Sequence, residues 1–286
     1  MLFVNLCMQG LLQGGIYALI AIGLTLVYGL LRILHVAHAG LYTLGGYLAV
    51  IITNATGSFS LGLLASMLAV GMFGMVIYRL IYHPILDKPP FVALIASIGL
   101  FIALEEIYRI IFGPYGITFS AAPLQGTVSF AGTYLRECEI GAILLAVVLI
   151  AALTLFTRYS RIGIAWRATV TDPGMSQSFG VDVVKVRYLN FFIGSAMAAG
   201  AGSMVALMNN LVEPTMGSVP SYKALAIIVL GGLGNVRGTL IAALVIGIAE
   251  TFGTIYLGDY LDRDSIAFAF LILVLMVKPT GLFAKG

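Results

Sequence analysis

"HVAHAGLYTLGGYLAVIIT" (residues 35–53) opens on two histidines, crowds in three glycines and then turns apolar; "SYKALAIIVLGGLGN" (221–235) is a second short apolar run broken by glycine. Each is too apolar for a surface loop and too glycine-rich for an ordinary buried helix. Glycine costs about 1 kcal/mol against alanine in a helix interior, so its repetition in so short a run needs a reason. Two physical reasons are open. Glycine lets neighbouring helices approach closely, and it lets a helix stop or unwind where its bared peptide groups face water instead of lipid.

The rest of the chain names the solvent. Of 286 residues, 60% are hydrophobic and 9% charged, with a mean hydropathy of +1.06. A soluble domain carries about a quarter charged residues, and this much apolar surface finds its place only in lipid. Apolar runs fall at 9–31, 36–53, 61–80, 91–112, 139–157, 188–211, 221–235, 238–257 and 265–278. The reading is an all-α polytopic membrane protein, a single transmembrane domain over 1–286 with 8–9 spanning segments. The opening "MLFVNLCMQG" lacks the basic flank of a cleavable leader. Cys7 and Cys138 have no metal-ligand spacing and read as ordinary thiols.

Charge sets the expected orientation. Arg158, Arg161, Arg167, Lys185 and Arg187 crowd one connection, which marks it as cytoplasmic by the positive-inside rule. Alternating outward from it, Arg32, Arg79, Lys88, Arg237, Lys278 and Lys285 also fall inside. Of the 15 Lys and Arg, only Arg109, Arg136, Lys223 and Arg263 are left elsewhere. The acidic stretch with Asp259, Asp262 and Asp264 falls outside, as does the polar stretch 113–137. This places the N-terminus outside and the C-terminus in the cytoplasm.

With that orientation the two short runs point in opposite directions. Each follows one long span and precedes two more, which predicts inverted-topology repeats over about 9–112 and 188–278, with a central span and basic loop over about 139–187 between them. Paired broken segments of this kind point to a transport pathway. Gly45, Gly46, Gly231, Gly232 and Gly234 are its candidates, with packing as the alternative for each; Gly10 and Gly14 read as helix-packing contacts.

Ionisable groups at membrane depth are few, and Glu250 is read as the deepest, either lining the path or anchoring a neighbouring helix. Glu105 and Arg109 form an expected i,i+4 pair. His35 and His38 sit at the mouth of the first short segment and are too few for a metal site. There is no phosphate loop, H-E-x-x-H or G-x-S-x-G, so neither ATP hydrolysis nor other catalysis is expected of this chain. In the basic loop, Asp172, Pro173 and Gly174 predict the cap and first turn of a short helix. Met175, Phe179 and Val181 supply its apolar side, and Gly180 its end. That face needs a cover, either the bilayer or a groove on a soluble partner.

The stretch 17–50 resembles the opening of the smaller, H-type permease of branched-chain amino acid ABC importers. Tyr17, Ala18, Leu19, Ala21, Gly23, Tyr28, Gly29, Ala37, His38, Tyr42, Gly45 and Tyr47 fall on that family's pattern. In 230–250, Gly231, Gly232, Gly234, Gly238, Gly247 and Glu250 do likewise. The pattern departs at His35, Val36, Ala39 and Gly40, where the family commonly has Asn, Phe, Gly and Glu. Ser176 and Ser178 stand where it has small apolar residues. The resemblance implies a coupling segment at 167–187 that inserts into an ATPase. It implies as partners a second homologous permease, two cytoplasmic ATPases that hold ATP and magnesium, and an external solute-binding protein. This chain itself would bind no cofactor, metal or nucleic acid.

The expected cargo is a small neutral or zwitterionic solute moved by alternating access across the inner membrane. A branched-chain or other hydrophobic amino acid comes first; urea- or amide-type solutes are carried by relatives. Candidate polar groups on the path are Tyr17, Thr25, His38, Tyr42, Asn190 and Glu250. The alternative reading is an ion-coupled secondary carrier or channel.

Overall fold

A computed structural model describes residues 2–130, 133–258, 260, 262–278 and 282. Asp259 and Lys285, used in the charge reading, lie outside the described residues. Nine principal helices lie over the nine apolar runs: α1 (Leu2–Leu31), α2 (His38–Thr56), α3 (Phe59–Ile77), α4 (Pro90–Phe112), α5 (Glu137–Tyr159), α8 (Val183–Asn209), α9 (Ser218–Gly231), α10 (Val236–Leu257) and α11 (Arg263–Val277). Between α5 and α8 come two more, α6 (Arg161–Thr171) and α7 (Pro173–Ser178). An antiparallel hairpin, β1 (Thr127–Phe130) with β2 (Thr133–Arg136), precedes α5.

Among the described residues, six helices are long and apolar enough to cross a membrane: α1, α3 with its extension, α4, α5, α8 and α10. The other three fall short for identifiable reasons. The 19 residues of α2 include a histidine, three glycines and several hydroxyl side chains. The 14 residues of α9 and 15 of α11 rise only about 21 and 22 Å at 1.5 Å per residue, against a hydrocarbon core of about 30 Å.

The predicted unwinding within 36–53 does not occur. The chain is non-helical before His38, and α2 then runs unbroken through Gly45 and Gly46. Both glycines are spent on packing. A Cβ on Gly45 would strike the backbone of Ala199, and one on Gly46 would come within 3.3 Å of the Gly202 carbonyl oxygen. In return, a Cβ on Gly202 would strike the carbonyl of Tyr42. At the other short run the chain does stop. Gly231 ends α9, and Gly232 and Gly234 adopt φ of +91° and +80°, a left-handed turn open to glycine at little cost. Asn235 then caps α10, its side chain accepting from Gly238 N at 3.1 Å.

Packing centres on α1 and α8, the most buried of the six long apolar helices among the described residues. α1 lies along α10, where Gly14 faces Leu244 and Gly10 faces Ile248, each leaving only 2.7 Å for an added Cβ. α8 lies along α3 and α2 and crosses α1 at Gly23 and Gly194. α3 ends in a π turn (Tyr78–Tyr82) and a 3-10 turn (His83–Ile85), which swing Tyr82 onto His35. On α4, Arg109 sits closer to Glu106 (2.7 Å) than to its expected partner Glu105 (3.7 Å). The body thus has a hairpin end, gathering β1–β2, 209–217 and the start of α11, and a basic end, gathering 32–37, α6, α7 and 232–235.

Candidate functional site

The hairpin end holds a cavity of about 680 Å³ walled by α1, α2, the 209–217 segment, α9 and the start of α11. That volume suits a small organic molecule. Lys223, at 4% exposure, reaches its edge from α9 and carries a network joining four helices. Its ammonium stands 2.6 Å from Glu250 Oε1 on α10 and 2.8 Å from Asp264 Oδ1 on α11, and donates to Tyr17 Oη on α1 at 2.9 Å. Tyr17 Oη donates in turn to Glu250 Oε2 at 2.7 Å. Arg263 Nε donates to that same oxygen at 3.1 Å, and Tyr222 Oη donates to Asp264 Oδ2 at 2.7 Å.

Two cations therefore meet two carboxylates. Glu250 is wholly buried, and an ion taken out of water persists only when its partners and hydrogen bonds replace what water supplied. Here they do, and the cluster is electrically balanced. Arg263 also borders a neighbouring polar cavity of about 360 Å³ that shares Gln13 and Asn209 with the first.

Sequence reasoning named Tyr17 and Glu250 as path groups and did not join them to Lys223, Arg263 and Asp264, which the structure sets beside them. Lys223 was counted among the outer basic residues and Arg263 and Asp264 among loop charges. The available signal was a lone lysine inside a short apolar run, which is an intramembrane ionisable residue and by default a functional one.

Of the other predicted path groups, Tyr42 lines the cavity, buried to 2% exposure. Thr25 does not reach it: its hydroxyl pairs with Thr239 Oγ1 at 2.8 Å, joining α1 to α10. Asn190 ties three elements instead, donating to Leu26 O at 2.9 Å and accepting from Trp166 Nε1 at 3.1 Å. His38 packs at the α1–α8 crossing, its Nε2 just 2.8 Å from where a Cβ on Gly23 would lie. Cys7 and Cys138 are both free thiols, and no three potential metal-ligating side chains gather among the described residues.

The basic end has its own cavity, about 370 Å³, lined by Tyr28, Gly29, Arg32, Val170, Leu233 and Gly234. Between Tyr17 at one cavity and Tyr28 at the other, α1 is buried without interruption. Beside it stands α7, begun by Asp172, whose Oδ1 accepts from Met175 N at 2.9 Å, with Pro173 as its first residue. Ser176 turns inward, while Met175 and Phe179 face out at 58% and 81% exposure. Gly180, at φ +83°, reverses the chain, and Val181 N donates back to Ser176 O at 3.1 Å. Asp182 caps α8, and the amide of Lys185 holds its carboxyl below the usual range. The helix α6 was not foreseen; the basic residues of 158–167 had been read as plain connector.

The family model described as branched-chain amino acid transport system / permease component matches residues 6–277. The high-affinity branched-chain amino acid transport system permease protein LivH of Escherichia coli K12 is 33% identical, covering 99% of this chain and 96% of that one. BraD of Pseudomonas aeruginosa, described in the same terms, is 31% identical over 97% of this chain and 94% of that one. LivM of Salmonella typhimurium, a further permease protein of such a system, is 25% identical over 93% of this chain and 67% of its own length.

Proposed function

The chain belongs to the branched-chain amino acid transport permease family, and from that premise we propose that it is one of two permeases in an ATP-driven importer of the inner membrane. It is a multi-pass transport subunit and not an enzyme. Its cargo is a small neutral or zwitterionic solute, a branched-chain or other hydrophobic amino acid. The hairpin end faces outward to a solute-binding protein, and the basic end faces the cytoplasm. The second permease is a homologue, as the likeness to both LivH and LivM supports. Two cytoplasmic ATPases take α7, with Met175 and Phe179 as the apolar docking pair, and hold the ATP and magnesium.

One observation carries the mechanism. Two cavities open at opposite ends of α1, one beside Lys223 of α9 and the other beside the 232–235 turn that follows α9, and a continuously buried stretch of α1 separates them. Alternating access needs that arrangement, one solute space exposed to one side at a time. The helix pairings support an inverted repeat of α1–α4 and α8–α11: α1 lies on α10 as its counterpart α8 lies on α3, and α2 answers α9. Movement of α7 by the ATPases is passed through α6 and α8 to this core.

Reconstitution with the second permease, both ATPases and the binding protein tests the reading. Uptake of L-leucine should require ATP and the binding protein. Phe179→Asp should abolish it while leaving the chain folded, since Phe179 makes its face outward and charge would be rejected by an apolar groove. Uptake by this polypeptide alone, driven by an ion gradient, would establish the carrier alternative instead.

A further inference from the structure

The Lys223 network is unequal in how its members are held, and the inequality bears on the solute. Glu250 has three partners: Lys223, Tyr17 Oη and Arg263. Asp264 has two, Lys223 and Tyr222 Oη. Lys223 donates to Tyr17 Oη and sets its charge between the carboxylates of Glu250 and Asp264. Suppose α9 shifts so that the cavity opens toward the basic end. Glu250 keeps Arg263 and Tyr17. Asp264 loses both Lys223 and Tyr222, which ride together on α9, but its side chain is 32% exposed and water replaces them. The ammonium of Lys223, 5% exposed, is left without a carboxylate beside a cavity set in an apolar body, where a bare charge is costly. Opening therefore needs an anion to replace the two lost carboxylates. None of the ion pairs of Lys223 is with Glu213, the further carboxylate lining this cavity.

We propose that Lys223 is a solute-binding residue that exchanges Glu250 and Asp264 for the carboxylate of a zwitterionic solute, so that the closed path opens at little electrostatic cost only when the solute is present. The exchange makes no covalent bond and moves no proton. It is a trade of ion pairs, and it couples solute arrival to release of α9. It rests on the transport reading above and adds to it the group that the permease recognises.

The test compares two variants in the complete reconstituted importer, with L-leucine as probe, reading uptake and ATP hydrolysis together. Lys223→Met removes the ammonium that must be satisfied and the solute's contact at once. Uptake should fall about tenfold or more, the loss expected of a charge-assisted hydrogen bond. ATP hydrolysis should persist and lose its dependence on leucine. Glu250→Gln weakens the closed state and leaves the ammonium, so hydrolysis should keep its leucine dependence while its leucine-free rate rises.

Opposite behaviour of the two variants supports the exchange. Parallel loss of uptake and hydrolysis in both shows a purely structural pin and overturns it. So does a Glu213→Gln variant that reproduces the Lys223→Met profile, because the replacing anion would then be internal. If Lys223→Met does not assemble, Lys223→Gln carries the same comparison: loss of leucine dependence supports the exchange, and retained dependence overturns it. Absence of ATP-dependent uptake in the unaltered importer is a separate failure, that of the transport reading.

Discussion

The helices α2 and α9 occupy matching places in the chain, short apolar elements after a long first helix, yet they are held by different forces. α2 is fixed by shape. Glycine meets backbone along its contact with α8, the Ser203 hydroxyl donates to Gly45 O at 3.1 Å, and no charged side chain lies within the helix. α9 is fixed by charge, through one lysine shared among three other helices. Close packing falls off steeply with distance and has one good solution. Ion pairs can be exchanged for others of like chemistry. A molecule that must hold one helix still and release its counterpart has reason to use one device for each.

The contrast can be broken at its stiff end first. Gly202→Val should cost about 3 kcal/mol, the upper part of the usual overpacking range, because the new side chain meets the backbone of Tyr42 and not a movable side-chain tip. Thermal unfolding of the purified protein in detergent reads this directly. A loss below about 1 kcal/mol would mean that α2 yields as easily as α9.

Tyr222→Phe sharpens the other side. It removes one hydrogen bond to the Asp264 carboxylate, about 1.5 kcal/mol for a bond to a charged group. Because Lys223 remains on Asp264, the fold should hold and the same melting experiment should show the smaller shift. A loss matching that of Gly202→Val would erase the distinction.

The smallest effect is expected at the turn that ends α9. Gly234→Ala places a Cβ at φ +80°, a conformation costing about 1 kcal/mol for an L-residue. The added methyl meets only Gly29 Cα, at 3.3 Å. The melting experiment should show a loss of about 1 kcal/mol, and a change in leucine uptake beyond it would locate a hinge at 232–235.

Much of the fold was readable because lipid imposes a simple rule: a segment must be apolar and long, and its neighbours polar. All nine apolar runs became helices, with ends displaced by a few residues, most at α1, which begins seven residues earlier than its apolar run. The short α7 was readable for a local reason, since Asp172, Pro173 and Gly180 each have a position-specific backbone role. The helix α6 was missed because Arg161 and Arg167 were read only for the charge they bring to the connection, although Arg161–Thr171 divides into an apolar and a polar side. The unwinding expected at Gly45 and Gly46 failed because glycine in a sequence looks the same whether it loosens a helix or admits a neighbour. Only the position of Ala199 and Gly202 across the contact separates the two.

The candidate site divides in the same way. Composition, charge bias and the order of apolar runs by themselves determined a lipid-embedded helical protein with two short glycine-rich segments and a capped short helix in its basic loop. These are properties of each segment in its solvent. That Lys223, Glu250, Arg263, Asp264 and Tyr17 form one balanced cluster was decided only by tertiary structure. Tyr17 stands 233 residues from Glu250, and no local rule pairs charges across such a distance. The physical reason is that a buried charge is tolerated only where the fold brings a partner, and the partner is chosen by packing and not by sequence neighbourhood.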